Sequence, residues 1–161
     1  MKVVYHNRTP REDDQLLETE YVSLDTLLKV SDAIIVLVPL SEQSRGMFGR
    51  DQFNRMKPTA FFVNASRGPL VDTDSLYHAL KSKQIGYAAL DVTDPEPLPL
   101  GHPLLELSNI LITPHIGSAT EETRNQMALL AVENIIAGLE GRALPTCINN
   151  EVNFPGESRV Q

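Results

Sequence analysis

Four short apolar runs divide the chain, each too short for anything but a strand and each closed by a polar or proline-bearing turn. They are residues 33–38, 60–63, Tyr87–Leu90 and Ile110–Ile112. Helix-like segments stand between them, and strands alternating with helices indicate a parallel α/β sheet. The first run, Ala33-Ile-Ile-Val-Leu-Val38, is continuously apolar and β-branched, as expected of a strand buried on both faces. Earlier in the chain, residues 2–5 read as a strand and Tyr21-Val22 as a shorter one. Ser23 is placed to cap a helical turn through Lys29.

The connections follow from the same punctuation. Residues 11–14 read as a loop or a short polar helix. Residues 41–57 read as a loop and a short helix that turns Phe48, Phe53 and Met56 inward. A helix from Asp72 or Thr73 to Lys83 would present Leu76, Ala79 and Leu80 to the core. Residues 94–105, with four prolines, suit a stiff surface loop. Ser118-Ala-Thr-Glu121 has capping-box spacing and is expected to open the longest helix, to about Glu140. Met127, Leu130, Ala131, Asn134, Ile135 and Leu139 mark its rows, and Gly141 would end it.

Composition excludes several classes. A length of 161 residues with 42% hydrophobic content suits one domain with a real core. The net charge of −7, without a basic run, argues against nucleic acid and anionic membrane as partners. The one cysteine, Cys147, allows no intramolecular disulfide, and His6, His78, His102 and His115 lack zinc-ligand spacing, so no metal site is expected. No apolar run is long enough to span a bilayer. Early charges interrupt any signal-peptide pattern, which makes the cytoplasm the expected location.

Three stretches past strands carry chemistry: NASRGPLVD at residues 64–72, DVTDPE at residues 91–96, and TPHIG at residues 113–117. Open α/β sheets bind ligands at the carboxyl ends of their strands. There Arg67 offers a planar fork of donors to a carboxylate, and with Glu96 and His115 it would make an acid-and-anion site. Each residue also has a plainer reading: Arg67 as a bridge between loops, Glu96 as a solvated surface acid, His115 as an ordinary loop histidine. Their shared position past successive strands favours function.

With those three motifs in that order, the sequence resembles the D-isomer-specific 2-hydroxy acid dehydrogenases, and within them the glyoxylate/hydroxypyruvate reductases. The resemblance extends to about Asn150. It implies an incomplete doubly wound, Rossmann-like dinucleotide-binding domain over residues 1–141, with a loose tail over residues 142–161. It also implies hydride transfer between a nicotinamide cofactor and a small 2-oxo or 2-hydroxy acid, with a homodimer as the complete protein. Arg67 would bind the substrate carboxylate, His115 would be the general acid, and Glu96 would orient the imidazole. Val38, Pro39 and Leu40 would line the adenosine pocket. Ala65 and Ser66 would pass the nicotinamide riboside, Asp91 would bind the carboxamide, and Gly117 would let the backbone approach the ring. Asp91 has a rival reading as a cap of the following turn.

At the ribose 2′ position an acid favours NAD(H) and an arginine accommodates NADP(H). Residues 6–9 read His-Asn-Arg-Thr, so Asn7, Arg8 and Thr9 favour NADP(H), with NAD(H) possible and Arg8 as a surface charge the alternative. No G-x-G-x-x-G turn occurs in the sequence. In the order 3-2-1-4-5-6 the strand at residues 2–5 would be the second, leaving the centre of the sheet unfilled. That pattern points to a fragment, a truncated gene model or a splice product, with Met1 an internal or alternative start. Two other readings stand beside the enzyme: a dinucleotide-sensing protein like the corepressors that resemble this family, and an inactive truncated product.

Overall fold

The structure is a computed structural model that describes residues 1–13 and 16–149. The chain divides into two compact units, Met1–His115 and Ile116–Gln161. In the first unit, β1 (Val3–Tyr5) and β2 (Thr19–Tyr21) form a parallel pair. A separate four-stranded parallel sheet takes β3 (Ala33–Val36), β4 (Phe61–Asn64), β5 (Tyr87–Leu90) and β6 (Ile110–Ile112) in chain order. No hydrogen-bonded strand joins the two sheets among the described residues. The sheet is therefore interrupted where the strand order placed its centre.

Among the described residues three α-helices lie in this unit: α1 (Leu24–Val30), α2 (Arg50–Phe53) and α3 (Thr73–Lys81). The Ser23 hydroxyl accepts from the Thr26 N–H, and the Asp72 carboxylate accepts from the Ser75 N–H at 2.7 Å, so the N-termini of α1 and α3 have the side-chain partner that orphan amides require. Leu28, Phe53, Leu76, Ala79 and Leu80 meet Ile34, Val36, Phe62, Ala88 and Leu90 in one core. Phe48, Phe53 and Met56 are buried as expected.

The expectation for residues 33–38 needs correcting. The strand stops at Val36, and only one of its faces is covered: Ile34 is 4% exposed, whereas Ile35 is 63% exposed. Strand order supplies the reason. Four parallel strands laid down in one direction by right-handed crossovers receive all their helices on the same side. Ile35, Phe61, Tyr87 and Leu111 consequently share an exposed face, with the Phe61 and Tyr87 rings stacked 5.0 Å apart across β4 and β5.

The second unit holds α4 (Glu121–Leu139). Its cap is Thr120, not Ser118: Thr120 keeps an extended backbone and accepts from the Thr123 N–H at 3.1 Å, so the Ser118–Glu121 box does not form. Nor do the marked rows make one buried face, since Met127, Ile135 and Leu139 are all exposed. Asn134, the polar member of those rows, donates to Leu130 O and to Thr146 Oγ1 and accepts from the Thr146 N–H. Gly141, at φ +68°, follows the end of the helix. The start of the expected tail is thus held to α4, and residues 150–161 lie outside the described residues.

Candidate active site

Buried Asn64, the last residue of β4, shapes the turn that follows. Its amide donates to Arg67 O (2.9 Å) and its carbonyl accepts from the Ser66 N–H (3.1 Å). The Ser66 hydroxyl donates to Val38 O at 2.6 Å, tying this turn to the segment after β3. Two of the expected cofactor residues, Val38 and Ser66, are therefore in direct contact. Pro39 and Ala65 are exposed beside them, and Leu40 is half-buried. The Arg67 side chain is exposed and donates one bond, from Nη1 to Ser66 O. A guanidinium has further N–H groups to offer an anion.

The loop after β5 carries Glu96. Its Oε1 accepts from His115 Nδ1 at 2.7 Å, and its Oε2 accepts from the Thr93 N–H at 3.2 Å. An ionised carboxylate is acceptor-only, which makes Nδ1 the protonated nitrogen and leaves Nε2 as the one able to exchange a proton. The hydrogen bond from His115 holds the Glu96 carboxyl below the usual carboxylate range; burial opposes it, while the Thr93 N–H and the His115 and Arg67 charges add to the lowering. His115 sits at φ +53°, in the left-handed region, with its N–H donating to Thr113 O. Non-glycine residues take that conformation uncommonly, histidine more readily than most, and Glu18 and Lys83 share it here.

Asp91, just past the end of β5, accepts from the Thr113 hydroxyl at 2.5 Å. The fold thus links the segment after β5 to the segment after β6 at Asp91–Thr113 and at Glu96–His115. Asn7, Arg8 and Thr9 lie in the exposed loop after β1, at the carboxyl end of the other sheet, where the Tyr21 hydroxyl donates to Asn7 O. Gly117 belongs to the second unit.

Sequence reasoning missed Asn64, Gly68, Thr93 and Thr113 as parts of this site. The glycine beside Arg67 was the one available signal, because a Cβ there would meet Thr93 O at 1.9 Å. Among the described residues no cluster of three or more metal-ligating side chains occurs, and no helix is long and apolar enough to cross a membrane.

Residues 1–117 match the family described as D-isomer specific 2-hydroxyacid dehydrogenase, NAD binding domain. Glyoxylate/hydroxypyruvate reductase B of Enterobacter agglomerans is 46% identical over 94% of this chain and 47% of its own length. The human glyoxylate reductase/hydroxypyruvate reductase is 48% identical over 90% of the chain and 44% of its own length. The chain therefore spans about half the length of the curated relatives it matches. Among solved structures, a glyoxylate reductase from Paecilomyes thermophila superposes with a TM-score of 0.84 at 32% identity, covering 94% of this chain and 46% of that one. D-lactate dehydrogenase with NAD+ from Lactobacillus jensenii gives 0.84 at 28% identity, over 91% of this chain and 48% of that one.

Proposed function

The chain belongs to the D-isomer specific 2-hydroxyacid dehydrogenase family through its NAD-binding domain, and from that premise we propose that it supplies the cofactor-binding and proton-transfer part of an oxidoreductase acting on small 2-oxo and 2-hydroxy acids. One observation carries the reading: an exposed histidine in a left-handed conformation donates to a carboxylate that also feels the Arg67 charge. An ion pair with side chains 48% and 41% exposed contributes little to folding. Stability therefore gives little account of the pairing, whereas proton transfer beside an anion-binding guanidinium does.

The residues present fit the nicotinamide half of a dinucleotide. The Ser66 turn is fixed against Val38, and Asp91 is held by Thr113 beside the Glu96–His115 pair. The cofactor, when bound, supplies the hydride that reduces C2 of the 2-oxo acid. Arg67 binds the substrate carboxylate and orients the carbonyl. His115 Nε2 gives its proton to the carbonyl oxygen as the alcohol forms, and takes it back in the reverse direction. Glu96 retains the Nδ1 proton on the imidazole and fixes the ring's orientation. Glyoxylate and hydroxypyruvate are the substrates we favour, on the names of the curated relatives.

NADP(H) is the favoured cofactor because the exposed loop after β1 presents Arg8 between Asn7 and Thr9 and no carboxylate at those positions. We place the protein in the cytoplasm and, in its working form, as a homodimer. The test joins this chain to the amino-terminal half of a matched relative and follows NADPH oxidation with hydroxypyruvate and glyoxylate. Turnover on either acid supports the reading. Dinucleotide binding without turnover would overturn it in favour of a sensor like the corepressors.

A further inference from the structure

The Arg67 turn and the Glu96 loop come from different strands and meet at Gly68. Gly68 is buried directly against the backbone of Thr93 and Asp94: a Cβ built on it would lie 1.9 Å from Thr93 O, 2.2 Å from Thr93 C and 2.8 Å from Asp94 N. All three are backbone atoms, so no side chain can swing aside to make room. On the far side of the joint Thr93 is 9% exposed and bonded in two directions. Its N–H donates to Glu96 Oε2, and its hydroxyl donates to Pro95 O at 2.9 Å. The Thr73 hydroxyl reaches across from α3 to Asp94 O at 3.0 Å, pinning the same loop a second time.

We propose that Gly68 and Thr93 are positioning residues, forming a fixed joint that holds the Glu96 carboxylate at bonding distance from His115 and at a set distance from Arg67. This rests on the oxidoreductase reading for its purpose, though not for its geometry. On one side Asn64 holds the carbonyl of Arg67, the residue before Gly68. On the other, the Thr93 amide holds the carboxylate of Glu96, three residues further on. A shift at the joint therefore moves the anion-binding group and the imidazole's partner in relation to each other. Neither Gly68 nor Thr93 needs to touch the substrate.

Nuclear magnetic resonance on the chain itself tests this without cofactor or turnover. In the wild type the Thr93 amide shift should follow ionisation of the Glu96 carboxyl, and Glu96→Gln should abolish that inflection. Gly68→Ala should reduce the inflection by more than half and move the Glu96 midpoint up toward the ordinary range, in a protein that still melts cooperatively. Unchanged titration in a folded Gly68→Ala variant would overturn the joint. Should that variant not fold, Thr93→Val and Thr93→Ser replace it, since they add no backbone clash. Loss with valine and recovery with serine supports the proposal, and wild-type behaviour in the valine variant overturns it. A merely structural role would lower the melting temperature and leave the Thr93 inflection in place. If the joint behaves as stated while His115→Ala leaves turnover intact in the joined protein, the positioning stands and the assigned chemistry falls.

Discussion

His115 and Glu96 are exposed, and so gain little stability from each other, yet they pair at 2.7 Å with His115 at positive φ. In the joined protein His115→Ala should cut turnover by about 10²–10⁴, the usual contribution of general acid–base catalysis, while NADPH affinity changes little. Steady-state kinetics beside a binding titration separates the two, and unimpaired turnover would remove the residue from the mechanism. Arg8 makes the complementary case for the cofactor: Arg8→Ala should weaken NADPH far more than NADH, read by titrating both. Equal weakening would leave the 2′-phosphate assignment without support. That Arg67, Glu96 and His115 lie past the ends of successive strands was legible in the sequence, from the apolar runs that precede them. Thr93 and Asn64 were not, since what they contribute is a backbone amide and a local carboxamide bridge, which no residue pattern announces.

Among the elements, α3 shows what was readable and α4 what was not. The apolar face of α3 is regular, and of the two starts the sequence allowed the structure takes Thr73, with Asp72 as its cap, the carboxylate accepting from the Ser75 N–H. Bonds from Ser75 hold the Asp72 pKa below its usual value. A carboxyl lowered by folding contributes stability above its unfolded pKa and loses that contribution as pH falls through the lowered folded value. Asp72→Ala should therefore cost about 1 kcal/mol at neutral pH and make the loss of stability in acid shallower. Denaturant titrations at neutral and acid pH measure both, and an equal cost at every pH would contradict the capping account. For α4 the cap was misplaced by two residues because Ser118 and Thr120 both suit the position by residue type. Only the extended backbone at Thr120 selects between them. The rows of α4 misled in a different way: a helix apolar around much of its surface has no single periodic face to read.

At the scale of the whole molecule, the parallel sheet was legible from alternation, but its burial was not. A continuous apolar run predicts two covered faces only when helices exist to cover both. Here the one-directional strand order sends them all to one side, leaving Ile35, Phe61, Tyr87 and Leu111 exposed opposite the packed face. The consequence for binding is direct. Ser66, Asp91, Glu96 and His115 all hang from the β3–β6 sheet, and the Ser66–Val38, Asp91–Thr113 and Glu96–His115 bonds are formed within Met1–His115 without any strand bridging the two sheets among the described residues. Thermal unfolding of this chain with NADPH, with NADH and with neither should then show a cooperative transition that a dinucleotide raises. A ligand specific for the native state adds about 2.7 kcal/mol at a hundredfold excess over Kd. A larger shift with NADPH than with NADH would support the Arg8 assignment in the same experiment. A cooperative transition that neither dinucleotide moves would mean that the nicotinamide-side residues, however well held, do not bind the cofactor by themselves without a G-x-G-x-x-G turn. A broad transition would place the limit earlier: the four-stranded sheet, with one face bare, could not hold those residues in their bonded arrangement.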